Sequence, residues 1–70
     1  MNFSAIIPTL NRPNDLILSV DSVLKQKVLP NELIIIDQSK NDKSYNLVSK
    51  LYKKFKRKLI LNYYHDYNAL

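Results

Sequence analysis

The sequence predicts an α/β fold in the order β-α-β-α-β, three parallel strands with two helices packed against them, and three observations carry that prediction. The run Leu33-Ile34-Ile35-Ile36 is apolar on consecutive residues and stops at Asp37, a pattern of strands covered on both faces in parallel sheets. Two further apolar runs, Phe3 to Ile7 and about Leu59 to Tyr64, flank it. The segments between the three carry apolar residues at helical spacing and are short enough for right-handed crossovers.

Phe3 to Ile7 reads as the first strand, ended by Pro8, and Pro8 to Asn14 is rich in turn formers. A helix follows, with Asn11 or Arg12 at its cap and Pro13 in the first turn, where a missing N–H costs nothing. Leu16, Ile17, Val20, Val23 and Leu24 then recur on one side. After Pro30 the second strand spans about Leu33 to Ile36, and Ser39, Asn41 and Asp42 are helix-start residues, Asp42 being placed to accept from free backbone N–H groups. The second helix sets Leu47, Val48, Leu51 and Phe55 on one face and leaves Lys50, Lys53, Lys54 and Arg57 in water. The third strand runs into His65, Asp66 and Tyr67. If the strand order is 3-2-1, the first strand lies at an edge although its composition suits a central position, and the exposed apolar edge predicts self-association.

Composition narrows the functions available. Seventy residues make one domain at most, and a chain of that size buries only about 60% of its unfolded surface. It has no Cys and a single His, so neither a disulfide framework nor a zinc cluster is expected. No apolar run nears the roughly 20 residues of a membrane span, and the N-terminus, with no basic stretch and with Pro8 cutting its apolar segment, makes a poor signal peptide; a cytoplasmic location is expected. The absence of Gly disfavours glycine-rich phosphate loops, which need positions free of a Cβ for close backbone approach. The net charge of +5 comes largely from Lys53-Lys54-Phe55-Lys56-Arg57-Lys58. Such a cluster reads first as a solvated helix end offsetting the macrodipole, and more sharply as a contact with nucleic acid or anionic lipid headgroups; of these two, the membrane surface is the expected partner and nucleic acid is not.

Asp37 is the leading site candidate, because ligands of open α/β sheets bind at the carboxyl ends of the strands; capping a loop or the second helix is the competing role. Asn11 suits a helix cap as well as a ligand contact. Arg12 is either a solvated charge or an anion contact at a helix start. His65 beside Asp66 reads as an exposed residue at a strand end, not an acid/base pair. Tyr63, Tyr64 and Tyr67 suit a strand margin.

Ile6-Ile7-Pro8-Thr9-Leu10-Asn11-Arg12-Pro13, a helix, and then Glu32-Leu33-Ile34-Ile35-Ile36-Asp37 together resemble the opening of a family 2 glycosyltransferase. The resemblance covers nearly the whole chain. It implies a GT-A type, Rossmann-like half domain, with residues 1–70 the N-terminal and incomplete part of a larger domain. It further implies an enzyme that transfers a sugar from a nucleoside diphosphate donor with inversion, inactive as this portion alone, in polysaccharide synthesis of bacterial type. Pro8, Thr9, Asn11, Arg12 and Asp37 then contribute to holding the nucleotide. No catalytic or metal-binding residue is assigned, and Mg²⁺ or Mn²⁺ is expected only in the complete enzyme. Gln38 stands where the family commonly has a second Asp, Ser39 where a Gly often follows, and no Asp-x-Asp occurs. Two other readings compete. One is a non-catalytic basic module for nucleic acid or an anionic membrane. The other is a receiver-like phosphoacceptor, against which Ile7-Pro8-Thr9 counts, since it lacks the acidic pair a metal requires.

Overall fold

The computed structural model describes residues 3–66; the strand-margin reading of Tyr67 lies outside them. The order is β1 (Ser4–Thr9), α1 (Pro13–Leu24), β2 (Glu32–Asp37), α2 (Lys43–Lys54) and β3 (Ile60–His65). The strands form one parallel sheet in the order β1-β2-β3, so β2 is central and β1 lies at an edge. This is the Rossmann-like half domain that the sequence predicts.

β1 does not end at Pro8. It continues to Thr9, with Pro8 in register with Ile36, because an edge strand tolerates a residue that cannot donate to the ladder. β3 is likewise displaced by one residue, ending on His65 rather than Tyr64.

The larger departure concerns how the sheet is covered. Leu33, Ile35 and Asp37 are buried whereas Ile36 is exposed, so the helices cover one face of β2 only. Leu16, Val20 and Leu24 of α1 and Val48 of α2 join Leu33, Ile35 and Leu59 in a single core. The cause is topological: strands stepping steadily from β1 to β3 place crossovers of one hand on one side of the sheet. The opposite face carries Ile6, Ile36, Ile60 and Tyr64, between 40% and 61% exposed. Its polar relief is Glu32, which accepts from Ser4 on β1 and Asn62 on β3.

α1 starts with Pro13 and buries Leu16, Val20 and Leu24 at intervals of four, the row an α-helix turns toward a core. α2 buries Ser44 and Val48, the small serine allowing close approach. The helix stops at Lys54 and Phe55 is already extended, so Phe55 packs on the core from beyond the helix. The Tyr52 hydroxyl donates to the Leu59 carbonyl at 2.6 Å, tying α2 to the start of β3. Arg12 occupies the N-cap of α1 and Asp42 that of α2, but neither side chain caps its helix. Oδ1 of Asp42 instead lies 3.5 Å from Nδ1 of His65, and the Lys43 N–H donates to Oδ1 of Asn41 at 3.0 Å.

Candidate functional site

The parallel register aligns Thr9, Asp37 and His65 across the carboxyl edge of the sheet. Two loops leave this edge, from β1 to α1 and from β2 to α2, and they are stitched together. The Gln38 N–H donates to the Thr9 carbonyl at 2.9 Å. The Asn11 N–H donates to Oγ of Ser39 at 2.7 Å, and Oδ1 of Asn11 accepts weakly from the Lys40 N–H at 3.4 Å. Asn11 thus joins the second loop instead of capping α1. Its φ of 52° lies in the left-handed region, where Asn is the side-chain-bearing residue best tolerated after Gly. In a chain without Gly, it makes the turn that brings the two loops together.

Asp37 sits beneath them, with none of its surface exposed. Its Oδ1 accepts from the Ser39 N–H at 2.9 Å and its Oδ2 from the Tyr63 hydroxyl at 2.6 Å. Nε2 of His65 lies 3.7 Å from Oδ2 and 2.9 Å from the Ser39 carbonyl. A carbonyl only accepts, so Nε2 carries the proton there. Burial works against the carboxylate, yet hydrogen bonds from the Ser39 hydroxyl, Tyr63 and the Ser39 N–H, with His65 nearby, hold its pKa below the ordinary value. Burial, and then the bond to this carboxylate, push the Tyr63 hydroxyl well above its usual range. The Tyr63 ring is set by an edge contact with Tyr45, centroids 5.1 Å apart.

These placements revise several expectations. His65 is not an exposed strand end: its side chain is 12% exposed, since the alternation of β3 turns it to the helix-covered side beside Asp37. Tyr63 is likewise a half-buried donor to Asp37, not a margin residue. Neither role is local in the sequence, although strand alternation from Leu61 through Tyr63 to His65, matched to Leu33, Ile35 and Asp37, carries the signal. Thr9 is half-buried, while Pro8, Asn11 and Arg12 are exposed at the same edge. An open groove of about 440 Å³ between the first turns of the helices is lined by Pro13, Asn14, Lys43, Asn46 and Leu47, a set that includes none of Pro8, Thr9, Asn11, Arg12 and Asp37.

A divalent cation does not fit these residues. Among the described residues no three of His, Cys, Asp and Glu come together to hold one, and both oxygens of Asp37 are engaged within the chain. Among those residues, too, no helix is long and apolar enough to cross a membrane.

The sequence profile of the family described as Glycosyl transferase family 2 matches residues 4–68. No curated protein and no solved structure is significantly similar to the chain.

Proposed function

The chain belongs to glycosyl transferase family 2, and from that premise we propose that it forms the donor-binding opening part of an inverting glycosyltransferase, its carboxyl edge receiving the nucleoside diphosphate of an activated sugar. The observation that carries the reading is the stitching of the two loops after β1 and β2 by Gln38, Asn11 and Ser39. It makes one continuous rim of segments 28 positions apart in sequence, at the edge where α/β sheets bind ligands.

Roles are divided by exposure. Pro8 and Thr9 supply wall and hydroxyl for the nucleoside, and Asn11 holds the rim. Arg12 stands exposed where α1 begins, so its guanidinium and the free N–H groups of the first turn attract a diphosphate. Asp37 shapes the second loop through Ser39; a direct bond from it to a base N–H or ribose hydroxyl requires exchange of the Tyr63 hydroxyl for the ligand. These residues bind and orient. Deprotonation of the acceptor hydroxyl and neutralisation of the leaving diphosphate are assigned to none of residues 3–66.

Calorimetric titration of the chain with uridine and thymidine diphosphates tests the proposal. Binding of either that weakens about tenfold or more in Arg12→Gln supports it; equal affinity of the variant, or no heat from a folded sample, refutes it.

A further inference from the structure

The end of the molecule opposite the candidate site carries a second surface, built from two loops distant in sequence. In a parallel sheet with helical crossovers, the loops after α1 and α2 return to the amino edge together with the strand starts. Arg57 fastens them: its two terminal nitrogens donate to the carbonyls of Gln26 and Lys27 at 2.7 and 2.9 Å. Lys27 of the first loop thereby joins Lys54 at the end of α2 and Lys56 and Lys58 of the second loop, all exposed. The nearby acids are engaged, Asp21 with Lys25 at 2.7 Å and Glu32 with Ser4 and Asn62.

The cations are not alone. Phe3 donates no side-chain polarity and is 40% exposed, Val28 is 68% exposed and Ile60 is 60% exposed. The Asn31 N–H donates to the Phe3 carbonyl and the Ile60 N–H to the Asn31 carbonyl, which sets the starts of the strands side by side. Exposed lysines and exposed apolar side chains at the same end of the sheet match a bilayer interface, where anionic headgroups meet cations and acyl chains accept apolar side chains. A single strand of nucleic acid is held by cations together with several stacking aromatics, whereas of these three apolar side chains only Phe3 carries a ring and the more exposed Val28 and Ile60 are aliphatic.

We propose that this amino edge docks reversibly on an anionic membrane surface, leaving the carboxyl edge with Thr9, Arg12 and Asp37 directed away from the bilayer. The inference rests on the charge and exposure of this end and does not depend on what the carboxyl edge binds.

Co-sedimentation of the full chain with neutral phosphatidylcholine vesicles, with vesicles containing about one third phosphatidylglycerol, and competition by a 20-base oligonucleotide tests it. The expected result is binding to the anionic vesicles only, falling with salt. Each surface cation contributes about a fivefold factor, so replacing Lys27, Lys54, Lys56 and Lys58 by Gln lowers partition by about 600-fold when the four contributions add. A second variant, Val28→Ser with Phe3→Ser, keeps the charge and still lowers vesicle partition severalfold. Equal binding to neutral vesicles, no binding to either, an unaffected lysine variant, or an oligonucleotide bound more tightly than the anionic vesicles each overturns the proposal.

Discussion

Replacing Tyr63 by Phe keeps the ring and its edge contact with Tyr45 and deletes the hydroxyl that donates to Oδ2 of Asp37 at 2.6 Å. Asp37 is wholly buried, so no bulk water takes the vacated place without rearrangement. Nε2 of His65 is 3.7 Å away and already donates to the Ser39 carbonyl, which leaves it poorly placed to substitute. A hydrogen bond to a charged group contributes about 1.5–3 kcal/mol, so the substitution is expected to cost about 2 kcal/mol, roughly a thirtyfold change in the folding equilibrium. A domain of this size has only about 4–10 kcal/mol in total. Urea unfolding followed by circular dichroism reads the effect as a midpoint lower by roughly 1–2 M. Combination with Asp37→Asn in a double-mutant cycle isolates the pair, with an expected coupling of at least about 1 kcal/mol. A loss below about 0.5 kcal/mol, or additive single effects, refutes the claim that this bond organises the site.

Acid stability follows from the same carboxylate. Its folded pKa lies below the ordinary 3.8, so its contribution is complete above the unfolded value and is lost as pH falls through the lower native one; acid unfolding monitored by circular dichroism begins below about pH 4 and moves to higher pH in Tyr63→Phe. The Tyr63 shift has the opposite sign: raised above 10.0, it leaves its contribution intact below pH 10 and removes it as the hydroxyl ionises, so alkaline absorbance titration shows one tyrosine ionising only on unfolding. Asn11→Val places a β-branched residue in the left-handed region at a cost of about 1–2 kcal/mol, and Asn11→Gly costs less, both read by urea midpoints. Ile6→Lys, on the uncovered face of the edge strand, lowers self-association in sedimentation velocity without lowering the thermal midpoint by more than a few degrees.

What the sequence discloses and what it hides divide along physical lines. Leu33 to Ile36 announces a strand and the stripe Leu16, Val20, Leu24 a helix, because burial imposes the periods of 2 and 3.6 locally. The sidedness of the sheet is not local: four consecutive apolar residues in β2 suggest two covered faces, while the strand order leaves Ile36 and Ile6 bare. Pro8 misleads for a similar reason, since the same residue that breaks a central strand is acceptable at an edge. At the site, Asp37, Asn11 and Arg12 stand out by their positions next to predicted element ends. Tyr63 and His65 were hidden because their importance depends on register with Asp37, which is set by strand pairing some thirty residues apart.

Chemical-shift mapping on the isotopically labelled chain, titrated with uridine and thymidine diphosphates, tests the central claim most directly. The account predicts perturbations concentrated at Thr9, Asn11, Arg12 and the Asp37 to Lys40 loop, with the amino-edge residues Lys27, Val28 and Lys58 unchanged. Shifts confined to the amino edge, or a spectrum of the folded chain that neither nucleotide alters, contradict it.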